Sequence, residues 1–352
     1  MTSTHALRSL RTLPKAHLHL HFTGAMRPQT LLELAEKAGL RLPTFMLEGD
    51  PLRVPADQRG WFRFQRSYDV ARSLVRCEGV MRRLIDEAVE DDAQEGSQRL
   101  EIQVDPTSYA PWVGGITPAL EIILDQAKLS SAAYGVEVGV IVAASRMKHP
   151  LDARTLARLA ARHAGVGPGE VVGFGLSNDE RNGQTSQWAQ AFRIARQAGL
   201  AAVPHGGELL GPEHVAEVVA HLKPTRLGHG VRLAEDPRLL DMVIEAGICL
   251  ELCPSSNVSL GVYPELSAVP LPTLVERGAT IALGADDPLL FRSRLLDQYQ
   301  VARDVFGFND ATLASLARSS IKASLASGES KKRMLQGVDS WLQHEPGTAT
   351  LQ

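Results

Sequence analysis

Eight short apolar runs punctuate this chain, each followed by a stretch of helical periodicity, and that alternation leaves few folds open. The runs are KAHLHLHFTGAMRP (Lys15 to Pro28), RLEIQVDP (Arg99 to Pro106), VEVGVIVAA (Val136 to Ala144), VVGFGLS (Val171 to Ser177), LAAVPHGG (Leu200 to Gly207), TRLGHG (Thr225 to Gly230), ICLELCP (Ile248 to Pro254) and TIALGADDP (Thr280 to Pro288). Between them lie amphipathic segments such as LDARTLARLAARHAG and DPRLLDMVIEAG, several ending in glycine as helix carboxyl ends often do. The pattern predicts an α/β chain folded as a parallel (β/α)8 TIM barrel. A doubly wound open sheet is the rival, but no GxGxxG follows an early strand.

One connection is anomalous. Residues Thr23 to Gln98 far exceed a loop plus one helix, so extra helices are expected over the barrel mouth, inserted after the first strand. Within them Trp61, Phe64 and Tyr68 share helical spacing, as a buried face or as a substrate lid. The whole chain, 1–352, reads as one barrel domain, with the first strand and lid in 13–98 and a disordered tail expected at 345–352.

The first run carries His17, His19 and His21 at every second position. Alternate side chains of a strand share a face, so three imidazoles stand on one side and Leu18, Leu20 and Phe22 on the other. Such a stripe points to a metal site, since neutral imidazole is the commonest metal ligand. At a rise of roughly 3.3 Å per residue, His17 and His21 are about 13 Å apart, too far for one ion, so an adjacent pair must be chosen.

Active sites of such barrels form at the carboxyl ends of the strands. The polar residues there are His19 and His21 on the first strand, His205 and Glu208 in HGGE on the fifth, His229 in LGHG on the sixth, and Asp286 with Asp287 in GADDP on the eighth. His19 and His21 lie nearer the carboxyl end than His17, which is left a structural or supporting role. With His205 and Asp286 they make three nitrogens and one carboxylate oxygen, a set suited to one zinc ion (Zn2+) per chain with room for water.

PKAHLHLHFTGAMRP, HGGE, LGHG, CPSSN and GADDP, in this order and at barrel-like intervals, resemble the adenosine deaminase family of the amidohydrolase superfamily. The resemblance spans most of the chain. It implies a zinc-dependent hydrolytic deaminase of a 6-aminopurine, an aminohydrolase acting on C–N bonds of cyclic amidines, with His19, His21, His205 and Asp286 as ligands. By the same resemblance Glu208 is the general acid and base at purine N1, His229 orients or deprotonates the attacking water, and Asp287 binds N7. The chemistry explains the carboxyl: an aromatic C6 accepts an oxygen nucleophile poorly unless N1 is protonated as attack proceeds. The other zinc deaminase signature, H-x-E with P-C-x-x-C, is absent from the sequence.

Two departures bear on substrate. Thr23 stands where the family's aspartate meets a ribose 5′-hydroxyl, and Asn178 stands where a glycine offers its N–H to purine N3. Loss of that carboxylate suits a 5′-extended nucleoside such as 6-amino-6-deoxyfutalosine, of the futalosine route to menaquinone; Arg63 and Arg66 of the lid are candidates to meet its carboxylate, although a solvated surface role is the one expected of either. Adenosine or 2′-deoxyadenosine is the alternative, as is free adenine in related deaminases. A catalytically inactive binding protein predicts lost ligands, yet the full set is present. Two-metal amidohydrolases often carry a bridging lysine on the fourth strand, and VVGFGLSNDE has none.

The remaining expectations concern surroundings. A formal net charge of −3 without basic runs argues against nucleic acid, and no span argues for a membrane. The opening MTSTHALRSLRTLPK lacks an apolar signal core, and Cys77, Cys249 and Cys253 form no CxxC, so a cytoplasmic chain with core thiols is expected. The sequence leaves the oligomeric state open.

Overall fold

In the computed structural model, which describes residues 7–344, eight parallel strands follow one another in chain order around a barrel. They are β1 (Lys15–His21), β2 (Ser97–Val104), β3 (Glu137–Ser145), β4 (Val171–Ser177), β5 (Ala201–Gly206), β6 (Arg226–His229), β7 (Cys249–Leu252) and β8 (Ile281–Leu283). The expected fold is the one found. The ring closes between β1 and the end of β8, where the His21 N–H donates to the Asp286 carbonyl and the Asp286 N–H to the His19 carbonyl, both at 3.0 Å. Thus three of the candidate ligands sit on the closing seam.

The long connection holds four helices, α1 (Pro28–Ala38), α2 (Thr44–Glu48), α3 (Gln58–Arg72) and α4 (Glu78–Gln94). α3 is capped by Asp57, whose carboxylate accepts the Gly60 N–H at 2.7 Å. It lays Phe64 flat against Phe291, with ring centroids 5.6 Å apart. The expected tail at 345–352 lies outside the described residues. No helix among the described residues is long and apolar enough to cross a membrane.

Barrel interiors are usually filled by branched apolar side chains. Here Ile141, Val172 and Val203 fill one part, and a row of fully buried charges fills another. Arg99 donates to Glu101 at 3.0 Å, and the Arg226 guanidinium lies 2.7 Å from Glu101 and 2.5 Å from Glu251. Burial opposes the charges on Glu101 and Arg226. The arginines nonetheless hold the Glu101 carboxyl below its usual range, and the two carboxylates hold Arg226 charged. The row ends on His19, whose Nδ1 donates to Glu251 at 2.8 Å.

Candidate active site

Local backbone geometry first marks the site. Of the five non-glycine residues with positive φ among the described residues, three are Asn178 (φ 80°), His229 (φ 68°) and Asp286 (φ 62°), each just at or beyond a strand end. Such conformations cost of order 1 kcal/mol and persist where surrounding contacts impose them, often at functional sites. The neighbouring glycines are steric requirements. A Cβ on Gly24 would lie 1.8 Å from an Asp287 carboxylate oxygen, and one on Gly228 2.5 Å from the His205 ring.

The donor atoms of His19, His21 and His205 lie within 4.8 Å of one another. Asp286 joins them, one oxygen 3.2 Å from His21 Nε2 and 3.6 Å from His19 Nε2, the other accepting from Ser256 Oγ at 2.6 Å. His19 Nε2 and His205 Nε2 are buried and have no hydrogen-bond partner among the described residues. Two orphaned imidazole nitrogens beside a carboxylate are what a divalent cation would satisfy. The local potential agrees. Although burial disfavours charge on His19, the nearby carboxylates of Asp286 and Glu251 raise it to about 10. Burial also opposes charge on Asp286, yet His19 and His21 keep its carboxyl well below the usual range.

Cys253 and His229 also stand close to His19 and Asp286. Burial pushes the Cys253 thiol well up, which keeps it protonated and a poor ligand. His17 is committed elsewhere. Its Nδ1 donates to Asp92 at 2.9 Å and its Nε2 accepts the Ala285 N–H at 3.1 Å, so it braces β1 against α4 and the β8 loop.

Glu208 is 3% exposed, and its carboxyl is pushed well above the usual range by burial, then by Asp286 and Glu180. It therefore holds a proton to give. His229 Nε2 is 3.5 Å from it, and burial with the neighbouring His19 lowers His229 to about 3, leaving it neutral and able to accept a proton. Asp287 is raised by burial and by Asp286, with one oxygen unpartnered among the described residues.

These groups floor an open cavity whose wall includes Trp61, Phe64 and Tyr68 of α3, together with Gln103, Tyr109 and Asn178. The aromatic triplet is thus both packed and facing the cavity. Thr23 is fully buried and does not itself line the cavity; its hydroxyl shares a 2.6 Å hydrogen bond with that of Tyr109, which does. Arg63 and Arg66 take the solvated surface role expected of them, since both are exposed and neither lines the cavity, Arg66 lying over Phe62. Arg72, one turn beyond Tyr68, is the arginine in the wall, paired with Asp69 at 2.5 Å.

Three residues of this neighbourhood escape the sequence reading. Glu180 accepts the N–H groups of Glu208, Leu209 and Leu210 at 3.1, 2.9 and 2.8 Å and so fixes the loop that carries Glu208. Glu251 orients His19, and Gln103 stands in the cavity floor. The only signal was a carboxylate in SNDE and polar residues inside strands ELC and EIQV.

A family model described as adenosine deaminase matches residues 14–341. A putative adenosine/adenine deaminase of Streptomyces virginiae is 57% identical over 95% of this chain and 98% of its own length. An adenine deaminase of Agrobacterium fabrum is 32% identical, over 92% of this chain and 97% of its own. Among solved structures, the adenine deaminase from Arthrobacter aurescens superposes with a TM-score of 0.85 at 26% identity, covering 94% of this chain and 99% of that one.

Proposed function

Because the chain belongs to the adenosine deaminase family, hydrolases that act on C–N bonds, we propose that it replaces the 6-amino group of adenine or an adenine nucleoside by oxygen, releasing ammonia. The single observation that carries this reading is the juxtaposition of the buried Glu208 carboxyl, His229 3.5 Å from it and the His19, His21, His205 and Asp286 cluster at one barrel mouth.

One zinc ion fits that cluster, and when bound it supplies a water that ionises near neutral pH. Glu208 donates its proton to N1 as water adds to C6, which keeps negative charge off the ring. His229 takes the proton lost by the water. The proton on His229 then passes to the departing amino group, the C6 hydroxyl returns its proton to Glu208 as C6 forms a double bond to oxygen, and N1 keeps its hydrogen, so water and aminopurine become 6-oxopurine and ammonia. Asp287 faces N7 on the opposite side of C6, and Asn178 stands at the N3 side of the ring. Glu180 holds the Glu208 loop and Glu251 holds the His19 ring, so neither must reorganise during reaction.

A 5′-extended nucleoside such as 6-amino-6-deoxyfutalosine is the second reading. Thr23 and Arg72 favour it, as the first brings no carboxylate and the second puts a guanidinium in the wall. The test is a panel of adenine, adenosine, 5′-methylthioadenosine and 6-amino-6-deoxyfutalosine, followed by loss of the aminopurine absorbance. Turnover of adenine or adenosine with the highest kcat/KM supports the first reading. Preference for the extended nucleoside replaces it with the second, and no turnover of any member rejects both.

A further inference from the structure

We propose that Gln103 reads the N9–H of a free purine base, which makes adenine a better substrate of this site than compounds substituted at N9. The proposal rests on the deaminase reading above and adds a specificity-determining residue to it.

Four residues of the cavity wall present buried side-chain atoms with no hydrogen-bond partner among the described residues: His205, His229, Asp287 and Gln103. The first three have work in the reaction. Gln103 has none, yet it is only 1% exposed and both its amide oxygen and its amide nitrogen are orphaned. A buried amide without partners is costly, so such a group in a cavity wall marks a contact completed by the ligand.

Strand order says which part of the ligand. Glu208 follows β5 and Asp287 follows β8, and they address N1 and N7, which flank C6. The purine edge away from C6, bearing N3 and N9, then faces the remaining arc of β2 to β4. Gln103 is on β2, paired in register with His21, and two residues beyond Glu101 on the same inward face. Its amide oxygen accepts the N9 hydrogen, and its amide nitrogen turns toward N3 on the same edge. An N9-glycosylated purine has no such hydrogen and leaves that oxygen buried and unpaired. On the same side of the cavity the Thr23 and Tyr109 hydroxyls satisfy each other, and Tyr109 is fixed edge-on to Phe22 at 5.1 Å, so that pair does not wait for a sugar hydroxyl.

The experiment compares kcat/KM of the metal-loaded enzyme for adenine, 9-methyladenine and adenosine, in the wild type and in Gln103→Met and Gln103→Leu. Circular dichroism and metal content check that the variants fold. The wild type is expected to prefer adenine over 9-methyladenine by about ten- to a hundredfold, the scale set by leaving a buried polar group unpaired. The variants should lose tenfold or more on adenine while changing little on 9-methyladenine, so that the preference collapses. Equal losses on both substrates would make Gln103 a support for His21 and overturn the proposal. So would a wild type that handles 9-methyladenine or adenosine as well as adenine, a result needing no variant. Failure of all three substrates would instead reject the deaminase reading itself.

Discussion

Glu208→Gln is expected to lower kcat/KM for deamination by about 10²- to 10⁴-fold while leaving bound metal in place. The amide matches the carboxyl in shape but cannot deliver a proton to N1, and without that proton C6 remains a poor acceptor for the oxygen nucleophile. The loop should not move. Glu180 grips the backbone N–H groups of Glu208, Leu209 and Leu210, not the side chain that is altered. Near-normal turnover in a metal-replete variant would remove Glu208 from its role.

The largest effect on stability is expected at Arg226. It sits between two fully buried carboxylates, Glu101 at 2.7 Å and Glu251 at 2.5 Å, and also donates to the Ala323 carbonyl at 3.1 Å. Removing one partner of such a network leaves buried charge uncompensated, a cost of about 3–5 kcal/mol. Arg226→Met should therefore lower the unfolding free energy obtained from urea titration by that much, while Asp339→Ala, which breaks the solvent-exposed pair with Arg318, should cost under about 1 kcal/mol. A small loss at Arg226 would mean that Glu251 takes up a proton when its partner is removed, and the coupling of this row to His19 would then be weak.

These interior charges show where sequence reading runs out. Strand ends were legible because the barrel puts its chemistry there, and glycine-flanked histidines and aspartates stood out against apolar runs. Arg99, Glu101, Gln103, Arg226 and Glu251 occupy alternate positions within strands, where period two says only that they share a face, not that this face meets other charges across the barrel. Their partners are distant in sequence: Glu101 and Arg226, or His19 and Glu251. The surface role of Arg63 and Arg66 follows from local spacing. Trp61, Gln65, Tyr68 and Arg72 fall on one helical face, whereas Arg63 and Arg66 lie about 200° and 140° round the helix from Trp61, on the solvent side. Thr23 taught the opposite lesson, since its hydroxyl partner Tyr109 comes from beyond β2 and no spacing rule brings the two together.

The central claim is that one divalent ion among His19, His21, His205 and Asp286 makes this barrel a 6-aminopurine deaminase. Its most direct test is ammonia release from adenine by protein stripped with a chelator and then titrated with Zn2+. Stripped protein should be inactive, and activity should rise linearly and break at about one equivalent per chain. Turnover that survives chelation, or a break at two equivalents, would contradict it.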